Sequence, residues 1–231
     1  MFGLGRWLRH AAGCTAWLAL VALSQAAFAA PPESFVAARP SAQAHGLVDW
    51  VLESGDAHGK PFAVVDKRAA HIYVFDADGR LAGHSAALLG ATFGDHTVPG
   101  VGARAQAGAV RPDERTTPAG RFEAQPGENA TGEHVVWVDY ESAFAIHRLR
   151  PGFAYQARAS RLATVQAAGK RVSWGCVVVP VAFYREVVER VLGRSRSVVY
   201  VMPETAPLQA VFAGSALESV SARPTSAGVR R

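Results

Sequence analysis

Hydrophobic and polar positions along the chain divide it into short runs. Leu47, Val48, Val51 and Leu52 recur on one face at helical spacing and predict a short helix. Continuous apolar runs then predict strands at Phe62 to Val65 and Ile72 to Phe75, with Asp76-Ala77-Asp78-Gly79 as a turn into Leu81. Gly90 to Gly102 is rich in glycine and loop-like, and strand character returns at 135–138 and 144–146. Pro180 opens a stretch in which Tyr184, Val187, Val188, Val191 and Leu192 share a face, with Gly193 as a stop, so a helix is predicted there. A last strand is predicted over 198–201. Strands predominate and do not alternate regularly with helices. This argues against a doubly wound parallel sheet and for a mainly β sandwich or barrel with one or two short helices.

The two ends read differently. Arg6, Arg9 and His10 precede the apolar run 11–23, and Ala27-Phe28-Ala29 supplies a small-x-small site, so residues 1–30 are expected to be a cleaved export signal. The apolar run is short of the roughly 20 residues a membrane span takes. Cys14 lies before most of that run, which discounts lipidation. Residues 31–45 read as an Ala/Pro/Ser-rich linker, 46–203 as one folded domain and 204–231 as a flexible tail. The expected location is periplasmic or otherwise extracytoplasmic.

Composition adds two constraints. A net charge of +5 is carried by scattered basic residues without a block, so nucleic acid is a weak inference and an anionic envelope polymer an equal one. Of the two cysteines, only Cys176 survives removal of the signal, so the mature chain forms no internal disulfide. A lone thiol in an oxidising compartment is either chemically used or buried as a small hydrophobe.

Ser173-Trp174-Gly175-Cys176 places that thiol beside a glycine at the edge of the apolar run 177–179. Glycine admits a substrate carbonyl closely, and successive backbone N–H groups there can hold an oxyanion. A thiol needs a base to become nucleophilic. His147 closes the 144–146 run and is followed by Arg148 and Arg150, charges that favour a neutral imidazole and a nearby thiolate. By position alone a surface histidine at a strand end is the favoured reading. The remaining histidines show no metal-ligand spacing, so no zinc site is expected. Asp113, Glu114 and Arg115 read as a solvated turn, and Trp137 and Tyr140 as packing residues.

Thr117-Pro118-Ala119-Gly120-Arg121-Phe122, Ile146-His147 and Ser173-Trp174-Gly175-Cys176 together resemble the L,D-transpeptidase catalytic domain, the YkuD fold, from about Pro61 to Met202. The resemblance implies Cys176 as nucleophile and His147 as base. It also implies oxyanion donors at Trp174, Gly175 and Cys176, support from Ser173, and a substrate contact at Arg148. The implied substrates are peptidoglycan stem peptides, with no metal or organic cofactor. An L,D-carboxypeptidase or endopeptidase of the same fold, or a non-catalytic envelope-binding domain, are the alternatives. Papain-like proteases place cysteine before histidine, the reverse of this chain. The family's second histidine is Trp174 here, and the arginine two positions beyond the cysteine is Val178. The segment between His147 and Cys176 is longer than usual and reads as an enlarged lid or a surface insertion.

Overall fold

The computed structural model describes residues 34–152 and 154–212. The expected export signal lies outside them. Among the described residues no helix is long and apolar enough to cross a membrane.

The first helix, α1 (Ala42–Ser54), starts where the Ser41 hydroxyl accepts the Ala44 N–H and stops where Gly55 adopts φ 67°. Ten strands follow: β1 (Phe62–Asp66), β2 (His71–Phe75), β3 (Leu81–Ala86), β4 (Leu89–Gly90), β5 (Gly120–Glu128), β6 (His134–Asp139), β7 (Phe144–Arg148), β8 (Arg171–Ser173), β9 (Val177–Val179) and β10 (Ser197–Val201). Short helices α2 (Val101–Gln106) and α3 (Tyr155–Ala163) sit between strands. A helical run over 181–191 with a π-helical centre at Tyr184–Val188 follows β9. Eight strands form one sheet in the order β3-β2-β1-β10-β5-β6-β7-β9, and β4 pairs with β8 apart from it.

Strand β5 belongs to both halves of that sheet. Its residues 120–124 pair with β10, whereas 125–128 pair with β6. Pro126, which has no N–H to donate, falls in the half that has left β10, where a missing ladder bond is tolerated. Two packed layers result. Ala63, Val65, Ile72, Val74, Val199 and Val201 meet Val136, Ile146, Val177 and Val179 in one core, to which Tyr184, Val188 and Leu192 add the helical run. The alternate residues Phe62, Val64, Tyr73, Phe75, Val198 and Tyr200 face the other way, onto Leu47, Val48 and Val51 of α1. Burial on both faces explains why β1 and β10 read as unbroken apolar runs instead of alternating ones.

The mainly β, sandwich-like architecture is the one expected. Its boundaries differ. Helix α1 begins inside the expected linker, and order runs past 203: Asp95 accepts the N–H groups of Glu204, Thr205 and Ala206, and Leu208 and Phe212 are buried against the α1 layer. Glu114, expected in a solvated turn, is 3% exposed and is held by Arg104 and Arg111. Parallel pairings were not expected, yet β1 runs parallel to β10 and β7 to β9.

Candidate active site

The β7–β9 pairing brings the two candidate residues together. In register, Ile146 opposes Val177 and His147 opposes Val178. Side chains alternate across a strand, so Ile146, Val177 and Val179 point into the core while His147, Val178 and Cys176 face the opposite side. There they open into a cavity of about 440 Å³ whose walls also include Ala143, Ala145, Trp137, Val172, Ser173 and Trp174. Cys176 stands one diagonal step from His147.

The histidine tautomer follows from its partner. Nδ1 lies 2.8 Å from the Arg148 carbonyl oxygen. A carbonyl only accepts, so Nδ1 carries the proton and Nε2 keeps its lone pair as a base. Burial, reinforced by the Arg150 charge, depresses the imidazole pKa to about 4, so the ring is neutral at physiological pH. The Cys176 thiol donates at 3.5 Å to the Ala143 carbonyl, and burial pushes its pKa up against the smaller opposing effects of a backbone N–H bond from Ala145 and the Arg150 charge. The resting pair is therefore neutral thiol and neutral imidazole, not a preformed thiolate–imidazolium pair.

The turn carrying the thiol is fixed at several points. Ser173 Oγ accepts the Gly175 N–H at 3.2 Å and donates to the Cys176 carbonyl at 2.6 Å, closing the loop from 173 to 176. Gly175 has φ 127°, and a Cβ there would lie 2.9 Å from the Thr116 carbonyl oxygen, so only glycine fits. Thr117, fully buried, accepts the Gly90 N–H at 2.8 Å and donates to the Gly175 carbonyl at 2.7 Å. Beneath it, Lys67 Nζ donates to the Thr117 carbonyl at 2.9 Å, to Gly94 and to Asp95. The Thr-Pro segment singled out in the sequence is thus the bracket of the cysteine turn.

The structure assigns other expected residues differently. Gly175, expected among the oxyanion donors, instead gives its N–H to Ser173 Oγ. Arg148 is not a cavity wall: it is ion-paired to Glu133, as is Arg150. Arg150 and Arg158 do line the cavity. So does Trp137, which packs edge-on to Tyr140 with ring centres 5.0 Å apart. Trp174, 46% exposed, lies under the Arg115 guanidinium at 5.0 Å. Among the described residues no group of three or more metal-ligating side chains gathers.

The chain matches no family model and no curated protein. Solved structures that it resembles are the Ldtfm–avibactam carbamoyl enzyme, at 17% identity and a TM-score of 0.36 over 63% of this chain and 49% of that one; an Enterococcus faecium L,D-transpeptidase mutant, at 18% and 0.33 over 62% and 50%; and an LD transpeptidase in complex with imipenem, at 15% and 0.33 over 62% and 58%. The chain spans about half the length of the first two. Identity this low leaves the chemistry to be read from the site's own residues.

Proposed function

We propose that this chain is an exported cysteine acyltransferase of the L,D-transpeptidase type, acting on peptidoglycan stem peptides. The observation that carries this reading is the shared face of β7 and β9, where a lone thiol and a histidine with a free Nε2 open into one cavity. Cys176 Sγ attacks the carbonyl carbon of the peptide bond after the third residue of a tetrapeptide stem while His147 Nε2 takes the thiol proton. The oxyanion is held by the N–H groups of Trp174 and Cys176. His147 then gives the proton to the departing nitrogen as the C–N bond breaks, leaving a thioester and a free amine. An incoming amine resolves the thioester, giving its own proton to His147. Resolution by water is the carboxypeptidase outcome of the same intermediate.

Intact mass spectrometry of the mature protein incubated with purified wall tetrapeptide tests this. The expected result is an adduct equal to the tripeptide acyl group on the wild type and none on Cys176→Ala, followed by transfer on adding an amine acceptor. No adduct, with a thiol inert to alkylation, would refute the catalytic reading in favour of a binding domain.

A further inference from the structure

The longer segment between β7 and β8 places a second charged element in the same cavity. Arg150, just beyond β7, and Arg158, on α3, both line the wall that holds Cys176 and His147. Each has its Nε buried without a hydrogen-bond acceptor. Arg150 Nε lies 2.8 Å from Glu133 Oε2, but out of line for a hydrogen bond, and Glu133 is shared with Arg148. Arg158 donates Nη2 to the Arg150 carbonyl at 3.0 Å, and among the described residues no carboxylate pairs with it. Two guanidinium groups, Arg148 and Arg150, thus share one carboxylate, and Arg158 adds a third positive charge to the cavity that also holds the thiol. At position 178, beside the thiol, stands an apolar valine.

We infer that Arg150 and Arg158 form a carboxylate subsite beside Cys176, so that the substrate is a peptide bearing a free carboxylate next to the bond attacked. A guanidinium that lines the cavity with its Nε unsatisfied keeps donors for a planar carboxylate, whose two oxygens it can meet in parallel. The leaving residue's terminal carboxylate and the acyl residue's side-chain carboxylate are both sources of this chemistry. The inference deepens the reading of Cys176 as nucleophile and rests on it for the word substrate, but the subsite is testable without any peptide.

Two alkylating agents of similar size separate charge from reactivity: iodoacetate is anionic and iodoacetamide neutral, and each forms an S–C bond to Cys176 with loss of iodide. Their rate ratio cancels the thiolate fraction, and hence any change in the thiol pKa. In the wild type the ratio should exceed that of glutathione by about tenfold at low salt and fall as salt is added. Arg158→Gln and Arg150→Gln should each lower it several-fold, and Arg158→Lys should restore most of it. In the acylation assay, amidating the terminal carboxylate or the side-chain carboxylate in turn identifies the recognised group. The sensitive arm should slow about tenfold in the wild type and lose that sensitivity in Arg158→Gln. A ratio equal in the wild type and both glutamine variants overturns the subsite, whatever the peptides do. A ratio that falls in the variants while no peptide acylates the wild type upholds the subsite and sinks the transpeptidase reading instead.

Discussion

Replacing Thr117 by valine removes one hydroxyl and keeps the shape. That hydroxyl is the sole polar atom of a fully buried side chain, and it bridges the Gly90 N–H on β4 to the Gly175 carbonyl in the cysteine turn. The valine methyl satisfies neither. Each buried backbone group left without a partner costs about 1–3 kcal/mol, so the pair should cost about 3 kcal/mol. For a domain of this size each kcal/mol lowers Tm by about 2–4 °C, giving a fall of about 9 °C. Urea denaturation should show the midpoint moving with the slope unchanged. Thr117→Ser keeps the hydroxyl and should recover most of the loss. Because the Gly175 carbonyl would be released one residue from the thiol, iodoacetamide labelling of Cys176 should also change in Thr117→Val and not in Thr117→Ser. A valine variant within about 1 kcal/mol of the wild type, with unaltered labelling, would refute the bracket.

Other consequences follow from the same geometry. The alkylation rate of Cys176 should keep rising beyond about pH 8.5, the ordinary thiol value, since burial raises its pKa; a plateau near neutrality would signal a preformed thiolate–imidazolium pair. His147 and His71 are both held near pKa 4 by burial, against 6.5 when unfolded. The unfolded chain therefore binds protons that the folded chain refuses: stability is full above about pH 6.5 and declines as pH falls towards 4. His71→Gln should flatten that slope in urea titrations between these values, and an unchanged slope would count against the buried neutral state. Lys67→Met leaves Asp95 buried without its cation, while Glu204 keeps Arg171, and should cost about 3–5 kcal/mol by thermal unfolding. Gly175→Ala drives a methyl into the Thr116 carbonyl and should abolish acylation while circular dichroism stays native; full activity would show that the turn is not constrained as described.

Most strands were legible because their signal is local. Phe62 to Val65 and Ile72 to Phe75 are apolar on both faces, and the Asp76–Gly79 turn marks where the chain reverses. Strand β5 was missed because it carries Pro126 and two glycines and alternates weakly, being held by β10 on one half and β6 on the other. Helix α3 was missed because its sole buried apolar residue is Leu162. Cys176 and His147 were legible as residue types with a motif around them. Their meeting was not, since it depends on a parallel β7–β9 pairing across the intervening α3 and β8. Arg148 was preferred over Arg150 and Arg158 because sequence adjacency to His147 is visible, whereas strand alternation and a helix packed over the cavity are not. Trp137 was read as packing for the same reason: one face of β6 is core and the other is cavity wall.

The parallel pairing of β1 with β10 sets an order of events in assembly. Residues 62–65 cannot find 198–201 until nearly the whole domain has been made, and such distant contacts form slowly. Until β10 slides between β1 and β5, both strands present open edges to any neighbouring chain. The closing strand also leads directly into Glu204, whose carboxylate and backbone complete the buried charges around Lys67 that support Thr117. A chain truncated before residue 198 should therefore aggregate and never present a competent thiol, however intact its His147 and Cys176.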